Sequence, residues 1–262
     1  MRRLYHWIAF LVLLFSFCVF FTGCGKNKNE EITSDPETED TRTEHEMTEI
    51  TTTCYEETEP PSISEEIIER AHESIWYDAE QDQFHFPYTK ESEEWESAPS
   101  IAARQKLFVI PDEVLACIST DNLLDLVITY PFSDSFIYSE SFQEGFKDFC
   151  KAYAGAEILM EREDLGNAVG NAWCSKELLA DDHDSVKYFL LLSVFLAQPE
   201  VLTTIDPGIA MEVMRKANAV WEQSSWIQSG FVRCTEETDA EEILEERFHL
   251  RVNSNGFTDD LN

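Results

Sequence analysis

The sequence predicts an all-α protein: a compact multi-helix bundle or a short solenoid-like helical stack, preceded by a disordered acidic linker. Three observations carry this expectation. Helix start and stop signals recur at short intervals across residues 97–233. The apolar residues between those signals return every three or four positions, the period of one helix face. No stretch alternates apolar and polar residues between turn dipeptides, so strands gain no support. The 262 residues divide into five stretches: 1–23, 24–62, 63–96, 97–233 and 234–262.

Residues 1–23 begin with Arg2 and Arg3, run apolar over 7–21 and end in the small residues Thr22 and Gly23. A basic start, a short apolar core and small residues before a cleavage point make a secretory signal peptide. The run is shorter than the ~20 apolar residues that cross a bilayer, and polar sequence follows it, which argues against a retained membrane helix. Phe21-Thr22-Gly23-Cys24 resembles the cleavage motif of bacterial lipoproteins, commonly Leu-Ala-Gly-Cys, with Phe21 in place of Leu and Thr22 in place of Ala. The resemblance implies cleavage between Gly23 and Cys24 and a diacylglycerol thioether on Cys24, with fatty chains such as palmitate. It further implies a mature protein held on the bacterial cell membrane and facing outside the cytoplasm. One acyl chain holds a protein only marginally and two hold it stably, so a diacylated Cys24 is a durable tether.

Residues 24–62 are dominated by Glu, Thr, Asp, Ser and Lys, as in Thr43-Glu44-His45-Glu46-Met47-Thr48-Glu49. Low hydrophobicity and like charge prevent core formation, so this stretch reads as a spacer that self-repulsion extends. Its mechanical role is to lift the domain off the bilayer. Residues 63–96 read as a partly ordered transition. Ser64 is a cap candidate, Glu65 and Glu66 suit a positive helix end, and the pattern predicts a helix to about Glu80. The stretch 83–95 looks irregular, with Phe84, Phe86, Tyr88 and Trp95 available to pack on the domain.

The globular stretch 97–233 carries its signals in order. Pro111-Asp112-Glu113 places Pro at a first helical turn with acids beside it. Ser119-Thr120-Asp121 starts a helix whose Leu123, Leu124, Val127 and Ile128 form one face, and Pro131 stops it. Ser139 or Ser141 caps a helix bearing Phe142, Phe146, Phe149 and Cys150, and Gly155 is expected to break it. Arg162-Glu163-Asp164-Leu165 opens a helix carrying Val169, Trp173 and Leu178. Asp182-His183-Asp184 precedes the apolar stretch 186–197, which is apolar on nearly all sides and therefore central and buried. Pro199 ends that helix and starts a short one through Leu202. Asp206-Pro207-Gly208 then caps a last long helix with Met211, Val213, Met214, Ala217, Val220 and Trp221. The acidic extension 234–262 predicts one helix over 241–250, with a turn-like end at Asn253-Ser254-Asn255-Gly256.

Ile110-Pro111-Asp112-Glu113-Val114-Leu115, Tyr130-Pro131, Phe142-Gln143-Glu144-Gly145-Phe146 and Arg162-Glu163-Asp164 together resemble a helical domain of secreted and lipoprotein-like bacterial proteins. The resemblance implies a helical fold and lends no catalytic residues, because the matched positions are caps, helix stops and core aromatics.

Charge narrows the function. The chain has 19 basic against 52 acidic residues, a formal net charge of −33, and cleavage would remove only Arg2 and Arg3 from its charged groups. Such a polyanion repels nucleic acid and anionic headgroups, so no nucleic-acid partner is expected. Of seven cysteines, Cys18 falls in the leader, Cys24 is the lipid site and Cys54 is in the linker. Cys117, Cys150, Cys174 and Cys234 remain, read as free buried thiols with one disulfide left open. No CxxC pair supports a zinc site.

Chemistry-bearing patterns are few. Asp181-Asp182-His183-Asp184 offers carboxylates and an imidazole, but consecutive residues do not converge on one ion and the spaced calcium-loop pattern is absent, so a helix cap is the better reading. Cys150 or Cys174 with His183 is a Cys–His combination to consider for nucleophilic catalysis. Trp221 and Trp226, with Tyr130 and Phe132, would suit an aromatic groove for a glycan or peptide if brought together. No Gly-rich phosphate loop is present. No catalytic, cofactor or metal residues are assigned. The expectation is a lipid-anchored, non-enzymatic binding or scaffold protein whose ligand is a protein, peptide or glycan. The alternatives are a cell-wall-acting hydrolase of unfamiliar type and a structural component of an envelope assembly. A concave aromatic patch favours the first, a cleft with a Cys–His or carboxylate pair the second, and an exposed apolar helix flank the third.

Overall fold

The computed structural model describes residues 63–253 and 256–259. The expected leader, Gly23, Cys24 and the expected linker 24–62 lie outside the described residues.

The described residues are mostly helical. The order is α1 (Glu65–His72), a hairpin of β1 (Tyr77–Asp78) and β2 (Gln83–Phe84), α2 (Glu93–Ser97), α3 (Ile101–Lys106), α4 (Asp112–Cys117), α5 (Thr120–Thr129) and a 3₁₀ turn (Ser135–Tyr138). There follow α6 (Phe142–Ala152), α7 (Ala154–Met160), α8 (Leu165–Ser175), α9 (His183–Leu196), α10 (Pro199–Thr204), α11 (Pro207–Gln223), α12 (Ser225–Thr235) and α13 (Ala240–Phe248). A second hairpin closes the series, β3 (Leu250–Asn253) with β4 (Gly256–Asp259), antiparallel with Val252 opposite Phe257.

Caps set most boundaries. The Ser119 hydroxyl accepts the Asn122 N–H at 3.3 Å, Ser141 accepts Glu144 N–H at 3.0 Å, and Asp206 Oδ1 accepts Gly208 N–H at 2.7 Å. Pro111 is the cap residue of α4, one position outside the turn expected for it. α5 ends at Thr129, just ahead of the Tyr130-Pro131 pair.

The core is organised around α9. Nine consecutive residues, Tyr188 through Leu196, are buried, Ser193 included. α5, α6, α8, α10 and α12 all pack on this helix. A solenoid unit touches only its neighbours in sequence; α9 instead meets helices from both ends of the domain, so the architecture is a bundle. Aromatic edges interlock around it: Trp173 on α8 meets Phe189 at 5.2 Å, and Phe146 on α6 meets Phe195 at 5.0 Å. α8 and α10 approach so closely that a Cβ on Gly166 would lie 2.2 Å from the Ile205 nitrogen. Only glycine fits there.

Several expectations need correction. The core draws on residues beyond 97–233: Phe84 packs on it as expected, Ala71 and Trp76 join beside it, and Ala240, Leu244, Phe248 and Leu250 join from the other flank. Buried apolar residues embedded in acidic sequence, aromatic and aliphatic, carry this packing, so the acidic composition does not make either flank peripheral. α1 stops at His72, because Ser74 turns back and its hydroxyl donates to the Ala71 carbonyl at 2.7 Å. Gly155 lies inside α7, and the break falls at extended Tyr153, whose ring stacks on Tyr130 at 4.1 Å. α12 is a separate helix with no counterpart in the sequence-based reading. Two hairpins exist where no strand was expected, the first with two-residue strands, too short to display alternation.

Candidate functional site

A cleft of about 350 Å³ opens beside the first two turns of α9. Three segments build its walls. Asp184, Lys187 and Tyr188 come from α9; Ile128, Thr129 and Pro131 come from the end of α5. Phe86, Tyr88, Lys90 and Glu91 come from the segment between β2 and α2, and Phe108, just after α3, packs against Phe86. The volume sits at the low end of the ~300–1,000 Å³ of small-molecule sites.

That third segment is held in place from both ends. The Asn122 side chain on α5 accepts the Phe84 N–H at 2.7 Å and donates to the Phe84 carbonyl at 2.8 Å. A side-chain amide here does what a neighbouring strand would do. Phe86 then rests edge-on against Phe108 at 5.0 Å and against Trp76 at 5.5 Å. At the rim, Ser92 N–H and Oγ both donate to the Thr89 carbonyl, at 3.2 and 2.9 Å, while Thr89 Oγ1 accepts the Glu91 N–H. This turn presents Lys90 and Glu91 to the cleft.

On α9, the Tyr188 hydroxyl donates to Asp125 Oδ1 at 3.1 Å, and Lys176 Nζ lies 3.9 Å from the Tyr188 ring centre. Burial, with the Asp125 charge beside it, pushes the Tyr188 phenol well above its ordinary pKa, so it stays neutral. Lys187 is half-buried, and among the described residues it makes no ion pair or hydrogen bond. Burial lowers its pKa from the ordinary lysine value; the Asp134 and Asp184 charges oppose that and the Lys90 charge adds to it.

Lys187 also borders a second cavity of about 240 Å³, mostly apolar, with Ile137, Val186, Leu190 and the exposed Trp226 in its wall. A third, of about 420 Å³, lies beside Cys150. Its buried amides are already satisfied: Gln143 and Gln198 donate to each other at 2.9 and 3.0 Å, and Gln198 also donates to the Val194 carbonyl at 2.7 Å. The cleft by Lys187 differs in offering a half-buried charge that makes no ion pair among the described residues.

Other residues singled out in the sequence do not assemble. Asp182 caps α9, accepting the Asp184 N–H at 3.2 Å, while His183 and Asp184 point into solvent with 86% and 94% of their side-chain surface exposed. Among the described residues no group of three or more His, Cys, Asp or Glu is placed to hold a metal ion. Cys150 and His183 border different cavities. Burial pushes the Cys150 thiol up to about 12, helped by Glu200 and Glu157, the reverse of what a nucleophile needs. Cys174 is raised as well, by burial and then by Glu212. Cys117, Cys150, Cys174 and Cys234 are free thiols, and Cys234 is the fully buried one. Trp221 stacks on Phe257 at 4.8 Å inside the core, Tyr130 is buried against Tyr153, and only Trp226 of that aromatic set is largely exposed. They form no common groove.

Sequence reasoning missed Lys187, Lys90 and the aromatics that face them. One signal was present: Lys187 is the single Lys or Arg in α9, set directly before its apolar run. Among the described residues no helix is long and apolar enough to cross a membrane. No protein-family model, curated protein or solved structure matches the chain.

Proposed function

We propose that this is a lipid-anchored, extracytoplasmic binding protein of a bacterial cell surface, whose helical domain holds its ligand in the cleft at the start of α9. The anchoring half rests on Phe21-Thr22-Gly23-Cys24 following the basic and apolar leader. The binding half rests on one observation: Lys187 is half-buried at an aromatic-lined cleft and makes no ion pair among the described residues. An ammonium withdrawn from water is costly unless something compensates it. In a chain with far more acids than bases, a half-buried ammonium that makes no ion pair among the described residues, with Asp134 and Asp184 only nearby, is the pattern of a site awaiting a ligand group. The hydrolase reading fares worse at this cleft. Its two carboxylates, Glu91 and Asp184, are both exposed, whereas an acid catalyst is raised in pKa by an apolar surrounding.

Lysine footprinting tests the binding half. The intact protein in detergent is acetylated with and without hydrolysed cell-wall material. Protection of Lys187 and Lys90 beyond that of the exposed Lys106 supports the cleft; equal labelling of all three contradicts it. Fractionation of Cys24→Ala cells tests the anchoring half. Loss of the membrane-held mature form is expected, and unchanged retention with normal processing would overturn it.

A further inference from the structure

We propose that the cleft at α9 takes a small zwitterion: a free amino acid, or a dipeptide, with an apolar or aromatic side chain. The proposal rests on the reading of this cleft as a ligand site. Its rim carries both signs of charge, Lys90 and Lys187 against Glu91 and Asp184, while its floor is Phe86, Phe108 and Tyr188.

Each class of ligand meets a different balance of forces here. A simple anion must approach a chain of net charge −33, and long-range repulsion works against it at ordinary ionic strength. A simple cation gains nothing from two lysines at the rim and finds carboxylates all over the surface. A molecule with both an ammonium and a carboxylate has no net charge to be repelled. Its carboxylate meets Lys187, which makes no ion pair among the described residues, and its ammonium meets Glu91, with the largely exposed Asp184 at the outer edge of the rim. Charge-assisted contacts of this kind are the stronger class of hydrogen bond, more so where water is thinned. The aromatic floor accepts the side chain, and aromatic pairs at such a floor add stabilisation beyond simple burial. The volume of about 350 Å³ limits the ligand to one or two residues rather than a polymer.

Titration calorimetry on the full-length protein in detergent tests this with three probes that share one ring. L-Phenylalanine carries both charges, phenylacetate lacks the ammonium, and phenethylamine lacks the carboxylate. The expected result is saturable binding of L-phenylalanine, with both singly charged probes weaker by about tenfold or more. K187M should weaken L-phenylalanine by a similar factor while circular dichroism stays unchanged. Phenylacetate binding as tightly as L-phenylalanine would overturn the proposal in favour of an anion, and phenethylamine doing so would overturn it in favour of a cation. Failure of both L-phenylalanine and alanyl-phenylalanine to bind at millimolar concentration also overturns it. If Lys187 is nevertheless protected by wall hydrolysate, the ligand class alone falls; if Lys187 is never protected, the binding reading falls with it.

Discussion

Three basic side chains in this acid-rich protein end helices to which they do not belong. Arg162 donates to the Leu115 carbonyl at 3.0 Å, closing α4. Lys216 on α11 donates to the carbonyls of Trp173 and Cys174, both at 3.0 Å, and of Lys176, closing α8. Arg247 on α13 donates to the Leu202 and Ile205 carbonyls, closing α10. The last turn of a helix leaves carbonyls unpaired and carries partial negative charge, so a cation there satisfies acceptors and dipole together. Lys216→Met should therefore lower stability by about 2 kcal/mol, read as a drop in urea midpoint, because charged hydrogen bonds at half-buried carbonyls are lost. Its neighbour Arg215 pairs, among the described residues, only with exposed Glu212, and Arg215→Met should leave the midpoint where it was. The thiols make a second prediction. Burial raises Cys150 and Cys234 from 9.0 to about 12 in the folded protein. Between those values the folded state keeps protons that the unfolded chain releases, so stability falls as pH rises, by up to ~1.4 kcal/mol per pH unit per thiol. Urea midpoints measured near pH 8 and near pH 10.5 should show that fall, and Cys234→Ala should make it shallower.

Asparagine amides dock both hairpins. Asn122 on α5 clasps the Phe84 backbone, and Asn218 on α11 clasps Phe257, accepting its N–H at 2.9 Å and donating to its carbonyl at 3.4 Å. The second clasp demands glycine next door: Gly256 has φ +119°, and a Cβ there would lie 2.3 Å from Asn218 Oδ1. Because the first clasp also fixes the segment bearing Phe86, Tyr88 and Lys90, Asn122→Ala has a double expectation. Stability should fall by about 1–3 kcal/mol, and acetylation of Lys90 and Lys187 should lose any ligand-dependent protection. Unchanged protection would show that the segment is held by its ring contacts alone. These clasps also explain what the sequence concealed. Helix signals that act locally were readable: Ser119, Ser141, Asp182 and Asp206 cap the helices they precede, and the run after Lys187, apolar but for Ser193, is the central helix. Strands of two and four residues, paired partly with side-chain amides from helices far away in sequence, leave no periodic trace. The break at Tyr153 rather than Gly155 is likewise tertiary, set by a ring stacked on Tyr130.

For the molecule as a whole, charge and position work together. The chain's formal net charge of −33 makes a field that disfavours anionic surfaces and anionic ligands alike. Against that background the site was only partly legible. Lys187 could be seen as an odd charge at the edge of an apolar helix, but Phe86, Tyr88 and Lys90 lie about a hundred positions earlier and reach it only through the fold. The whole assignment to a cell surface stands on the thiol of Cys24. The decisive measurement is the mass of the N-terminal peptide of the protein purified from its native membrane fraction. The account predicts a chain beginning at Cys24 and heavier than its sequence by a diacylglycerol and any further acyl chain. An unmodified Cys24, or a chain still beginning at Met1, would contradict it.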